Sequence, residues 1–231
     1  MAIFTGNRDI SIAIKTAIAG NRSLLLNKMI LVTDEESIPG TKFVATTPSE
    51  FETWLSDEGY VAPKLAGLFR EANSQVDEEG ELVAPYEIFV IGDDTDADTS
   101  LAIANLQATL EAFLELPDND VYAIIGTLTT DPWTAWVHSY TTQKKMIAGI
   151  YSTDYTTAVP GTTNNRVLGI VTDLQDPVEY PHAAWFGNCL SRLQNVGWKF
   201  KTLTGVTPLS ATDGNCDTAE GNGWNLYRTV R

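Results

Sequence analysis

Residues 86–127 read YEIFVIGDDTDADTSLAIANLQATLEAFLELPDNDVYAIIGT. Tyr86–Ile91 is a short run of apolar, β-branched and aromatic residues stopped by Gly92 and a group of aspartates, which is how a buried strand reads. Ser100–Leu116 then sets Leu101, Ile103, Leu106, Leu110, Phe113 and Leu114 at helical spacing, and Pro117 marks the end of the helix. Val121–Thr127 is a second buried strand. A strand, a helix and a strand in this order form the unit that joins parallel strands, so the stretch predicts an α/β fold.

The same alternation extends both ways. Upstream, Leu24–Thr33 reads as a buried strand. Thr47-Pro48-Ser49-Glu50 is a helix start, with Thr47 as N-cap, Pro48 at the first helical position and Glu50 closing a capping box. Phe51, Trp54 and Leu55 form the inner stripe of that helix, and Pro63–Ala72 is a second helix with Leu65, Leu68, Phe69 and Ala72 on one side. Downstream, Asp131-Pro132 opens a helix carrying Trp133, Trp136, Val137 and Tyr140 on one face. Met146–Tyr151 and Arg166–Thr172 read as strands. Pro181–Gln194 reads as a helix with Trp185, Phe186, Cys189, Leu190 and Leu193 inward, and Gly197–Thr204 as an amphipathic strand. The expected fold is therefore α/β, a mostly parallel or mixed sheet flanked by helices, with an extended N-terminal strand arm.

That arm is Asp9–Lys15, where Ile10, Ile12 and Ile14 alternate with polar or small residues before the break at Gly20-Asn21-Arg22. Period two with one apolar face is an edge strand of the chain's own sheet or a strand given to the sheet of another subunit. The division expected is 1–20 arm, 21–209 α/β core, and 210–231 a Gly/Asn/Asp/Thr-rich loop followed at Trp224–Arg231 by the start of another strand.

Charge narrows the function classes. The net charge of −15 lies entirely in residues 1–120, which hold 22 acidic and 7 basic side chains, while 121–231 are balanced. Binding nucleic acid through its phosphates needs clustered Lys and Arg, so no nucleic-acid partner is expected. No apolar stretch reaches bilayer length, and no membrane insertion is expected; the N-terminus lacks the layout of a secretory signal. Cys189, Cys216, His138 and His182 show no ligand spacing for zinc.

The loop Gly92-Asp93-Asp94-Thr95-Asp96-Ala97-Asp98 lies where doubly wound folds bind phosphates, but its aspartates would repel an anion. Asp94, Asp96 and Asp98 share the first spacings of a calcium loop, yet Thr99 and Asn105 occupy the positions of its glycine and glutamate. These aspartates are expected instead to cap and charge the N-terminus of the Ser100 helix. Gly126-Thr127-Leu128-Thr129-Thr130-Asp131 matches no phosphate fingerprint, and neither GxSxG nor HExxH occurs. No cofactor, metal or catalytic residue is expected.

Pro181–Leu209, PHAAWFGNCLSRLQNVGWKFKTLTGVTPL, resembles the signature region of contractile phage tail sheath proteins. The features carrying the resemblance are Ala183-Ala184-Trp185, Gly187, Trp198-Lys199-Phe200-Lys201 and Leu203-Thr204-Gly205-Val206-Thr207. The resemblance implies a non-enzymatic subunit that polymerises into stacked rings around an inner tube and contracts to drive the tube through the host envelope. Its implied partners are copies of itself, the tail tube protein, and baseplate and terminator proteins. Its implied location is the virion tail, assembled in the host cytoplasm. It also implies that the strand of Ile10, Ile12 and Ile14 is an exchanged arm. In that family the chain continues beyond the equivalent of Trp224–Val230 into a C-terminal arm, so 210–231 reads as an incomplete C-terminal segment. The alternative from layout alone is a flavodoxin-like α/β enzyme or a small-ligand-binding domain.

Overall fold

A computed structural model describes residues 27–44, 47–76, 79–85, 87–94, 99–116, 119, 121–144, 146–152, 166–171, 180–190 and 225–226. The chain is α/β, as the alternation predicts. Its central sheet contains β1 (Lys28–Thr33), β2 (Thr41–Val44), β5 (Glu87–Gly92), β6 (Ala123–Gly126), β7 (Ile147–Ser152), β8 (Val167–Val171) and the two-residue β9 (Asn225–Leu226). A separate hairpin pairs β3 (Gln75–Val76) with β4 (Leu82–Val83). Five helices are described: α1 (Pro48–Glu58), α2 (Pro63–Ala72), α3 (Thr99–Leu114), α4 (Asp131–Lys144) and α5 (Pro181–Cys189).

The lateral order is β2-β5-β1-β6-β7-β8-β9. The five inner strands, β5 to β8, run parallel. The two edges, β2 on β5 and β9 on β8, are antiparallel. Numbered along the chain, the parallel strands follow the order 2-1-3-4-5 of flavodoxin-like sheets, which reverses direction between β1 and β6.

Two apolar layers clamp the sheet. Met29, Leu31, Ile88, Val90 and Ile125 face α1, α2 and α5. Ile30, Val32, Phe89, Ile91 and Ile124 face α3 and α4. Inner strands with helices on both faces need apolar residues at every position, which is why KMILVT and EIFVIG show no alternation. Edge strand β2 differs: Phe43 packs on the α1/α2 layer, and Lys42 on the opposite face is half exposed.

Helix α1 starts as the sequence predicts, with the Thr47 side chain accepting from Glu50 N and the Glu50 carboxylate accepting from Thr47 N. Gly59, at φ 79°, ends it in the left-handed conformation that glycine adopts most cheaply. Phe51 and Leu55 are buried, and Trp54 is half-buried against Phe43 and Tyr60. Helix α2 has the predicted limits but no capping side chain of its own. The predicted strands and helices shift by one to a few residues at their ends. Strands β2, β3 and β4 were not expected; they are four, two and two residues long, too short to carry a pattern. Ile10, Ile12, Ile14, the Asp96–Asp98 loop, Gly197–Thr204 and Cys216 lie outside the described residues.

Candidate functional site

A sheet of this order places its ligand crevice where β1 and β6 diverge, beyond their C-terminal ends. The residues there are Thr33 at the end of β1 with Asp34 and Glu35 after it, Thr127 after β6, and Tyr151 on β7. Tyr180 and His182 reach the same region from the start of α5. Asp34 and Glu35 are drawn in because β1 stops at its last buried residue, Thr33, and the chain turns polar immediately after it.

Each carboxylate of the crevice serves a partner in the same chain. Asp34 Oδ1 accepts from Thr127 Oγ1 at 3.0 Å and lies 3.7 Å from Lys64 Nζ. The Glu35 carboxylate accepts the backbone N–H groups of Lys64 and Leu65, both at 3.1 Å. Those are free donors of the first turn of α2, so Glu35 caps from a strand end a helix that Ala62 cannot cap. The N-terminus of α2 is where an anionic ligand would dock, and Glu35 already fills it. Glu36 accepts from Val61 N at 3.2 Å.

An aromatic cluster borders the crevice on the α5 side. His182 lies flat on Tyr151, with ring centres 4.4 Å apart and planes 17° apart, and Tyr180 meets Tyr151 edge-on at 5.5 Å. Tyr151 Oη donates to the Thr127 carbonyl at 2.8 Å. Burial pushes the Tyr151 phenol far above its ordinary range, and the neighbouring Tyr180, Asp34 and Glu35 push it further. Tyr180 is raised in the same way, by burial first and then by Glu35 and Asp34. Both remain neutral hydrogen-bonding groups at any ordinary pH.

His182 is fully buried, and its Nε2 sits 2.9 Å from the Gly126 carbonyl. A carbonyl accepts only, so Nε2 carries the proton and Nδ1 is the bare nitrogen, which has no partner among the described residues. Burial lowers its pKa to about 3, the hydrogen bond to Gly126 opposing that shift. A histidine unfolds to a pKa of about 6.5, so below that pH the unfolded chain takes up a proton the folded chain refuses. Stability attributable to His182 is therefore complete above pH 6.5 and falls as the pH drops toward 3. Between pH 6.5 and 5 the loss is about 2 kcal/mol at 1.36 kcal/mol per unit. Urea unfolding at both pH values should show this slope in the natural chain and a flatter one in His182→Gln; equal slopes would refute the assignment.

The signature residues inside the described region are packing groups of α5. Ala183 and Ala184 are fully buried and Trp185 is nearly so. A Cβ on Gly187 would lie 2.1 Å from the Ala72 carbonyl oxygen, so this glycine sets how closely α5 approaches the end of α2. Gly149 makes room for Phe186, and Gly67 for Tyr180, in the same manner. Trp198, Lys199, Phe200, Gly205, Val206 and Thr207 lie outside the described residues. The inward set expected for α5 holds for Trp185, Phe186 and Leu190, Cys189 is half-buried, and Leu193 lies outside the described residues; His182 and Asn188 are buried as well, so every described residue from Pro181 to Asn188 is enclosed.

Sequence reading passed over Asp34, Glu35, Thr127, Tyr151, Tyr180 and His182 as a group. The signal that could have found them is position: each follows, ends or packs on the C-terminal end of a predicted parallel strand. Near the acidic loop, Ser37 Oγ bonds Asp93 Oδ1 at 3.4 Å and accepts from Asp94 N at 3.2 Å, tying the residues after β5 to those after β1. Among the described residues no three His, Cys, Asp or Glu side chains converge as a metal site requires, and no described helix is long and apolar enough to cross a membrane. No protein-family model matches the chain, and no curated protein matches it in sequence.

Proposed function

We propose that the chain is a structural subunit of a contractile tail sheath, polymerising around an inner tube with copies of itself and contracting to drive that tube through a host envelope. Its other partners are the tube protein and the baseplate and terminator proteins, and its location is the virion tail. The observation that carries the reading is a crevice whose described carboxylates and aromatic rings are bonded to partners in the same chain. Where an α/β sheet of this order would admit a ligand, Glu35 caps α2, Asp34 holds Thr127, and Tyr151, His182 and Tyr180 pack against one another. A crevice committed to internal bonds suits a subunit that moves as a rigid body. The resemblance of Pro181–Leu209 supplies the identity of the assembly.

The strand order itself favours a second reading, a flavodoxin-like enzyme or small-ligand-binding domain. Flavin absorbance of the purified protein, or a melting shift with nucleotides, would support it. The test of the first reading is negative-stain electron microscopy of the concentrated full chain beside a chain lacking residues 1–20. Tubes or stacked rings that vanish on deletion are the expected result. Monodisperse particles from both, together with a nucleotide-dependent melting shift, would replace the sheath reading with the second.

A further inference from the structure

We infer that the outer face of α3 and α4 is the contact through which two copies of this chain pair about a two-fold axis. The two helix layers present different surfaces to solvent. Around α1 and α2 the exposed side chains include Glu50, Glu52, Asp57, Glu58, Lys64 and Arg70. Across the sheet they include Ala104, Ala108, Thr109 and Ala112 on α3, and Ala135 and Ser139 on α4. Glu111 is the one charged residue among the 16 of α3. A surface helix that meets only water carries charged and polar residues on its outer face. Helix α3 shows alanines there, in a chain of net charge −15.

This face is one rigid surface, and its charges lie at its margins. Gln107 Nε2 donates to the Pro132 carbonyl at 3.4 Å and Trp136 Nε1 to the Glu111 carboxylate at 2.8 Å, so the helices are fastened side by side. Beyond Leu114, Glu115 pairs with Lys144 at 3.2 Å, and Asp131 stands in the first turn of α4. Between these ends no described exposed residue of either helix is charged.

Charge selects the occupant. Two copies of net charge −15 repel one another most where their acidic surfaces approach. The α3/α4 face brings no exposed carboxylate to its opposite number across its centre, and an uncharged face matches another of the same kind. A basic partner would be drawn to α1 instead. Alanine side chains let facing helices approach to about 8 Å. The 16 residues of α3 are about 24 Å long, and two helices side by side are about 20 Å wide. The pair therefore buries on the order of 1,000 Å² in all, enough for a specific contact. A two-fold contact closes on itself, so the inference goes beyond the proposed assembly: it describes a pair and not a stack.

The test is sedimentation velocity of the full chain over a range of concentrations, beside Ala108→Glu, Ala108→Lys and an equal mixture of those two. Ser56→Glu, on the exposed side of α1, is the control. Ala108 is exposed, so both of its variants should melt close to the natural chain. The expected result is a dimer of the natural chain and of Ser56→Glu, weakened roughly tenfold or more in Ala108→Glu and recovered in the mixture. A natural chain that stays monomeric would overturn the pair. So would equal weakening by Ser56→Glu and Ala108→Glu, or a mixture no tighter than either variant alone. Tubes from a chain that forms no dimer would leave the sheath standing and remove this contact; a dimer without tubes would do the reverse.

Discussion

Gly187→Ala is expected to lower the unfolding free energy by about 3 kcal/mol, among the larger effects of any one-carbon change in this protein. The added Cβ would sit 2.1 Å from the Ala72 carbonyl oxygen, 2.7 Å from its carbonyl carbon and 2.8 Å from its Cα. All three are backbone atoms at the end of α2, so no side chain can swing aside. Relief requires α5 to lift, and α5 carries Phe186 over Gly149 and His182 onto Tyr151. For a chain of this size a loss of that order lowers the melting temperature by roughly 6–12 °C. Gly59→Ala is the comparison, because Gly59 has positive φ but open space around its Cβ position and should cost about 1 kcal/mol. Thermal unfolding of both, with Ala72→Gly added to Gly187→Ala, checks the cause. Rescue by Ala72→Gly would refute it, since trimming that side chain leaves the clashing backbone in place.

Glu87→Ala is the second large effect. The Glu87 carboxylate lies near the start of β5 between Lys28 of β1, at 3.0 Å, and Lys42 of β2. It ties three neighbouring strands together on the α3/α4 face. Burial works against its charge, but the hydrogen bonds and charges of the two lysines outweigh burial and hold its pKa below the ordinary carboxylate value. Removing it leaves Lys28, whose side chain is 14% exposed, without that carboxylate. Breaking a buried pair costs about 3–5 kcal/mol; with Lys42 half exposed, about 2–4 kcal/mol is expected. Lys42→Ala should cost no more than about 1 kcal/mol, because its ammonium is easily solvated. The double change Lys28→Met/Glu87→Leu should recover most of the loss by replacing the pair with apolar volume. The sign with pH follows from the lowered pKa. The contribution is full above the unfolded value of about 4.5 and is lost as the pH falls through the folded one. Urea titrations of Glu87→Ala and the natural chain should converge at low pH. A constant gap down to pH 3 would show that the pair is not the source.

The two acid effects differ in where they act. His182 erodes stability from pH 6.5 downward and Glu87 only below about 4.5. The natural chain is thus expected to weaken in two stages, the first removed by His182→Gln and the second by Glu87→Ala.

Local chemistry made much of the fold legible in the sequence. Thr47, Pro48 and Glu50 form a start signal whose partners lie within three residues, and the capping box forms with those partners. The runs KMILVT, EIFVIG and AIIG, separated by helical patterns, specify buried parallel strands because strands covered on both faces have no polar positions. The helices of α1 to α4 could be read from spacing for the same reason: their apolar stripes match the period of one face. The strand order could not be read. Nothing local distinguishes β5 returning beside β1 from β5 continuing outward, and a strand of four residues such as β2 is chosen by the edge it meets.

The crevice was decided by tertiary structure alone. Glu35 and Leu65 are 30 residues apart, Asp34 and Thr127 are 93 apart, and His182 and Gly126 are 56 apart. Pairs of that separation carry no spacing to read. The sequence by itself determined which segments are strands and helices and which of their faces are apolar, because those properties depend on near neighbours. Only the folded sheet decided that Glu35 would cap a helix it does not belong to and that His182 would be buried on Tyr151. Those roles depend on which strand ends the topology brings together.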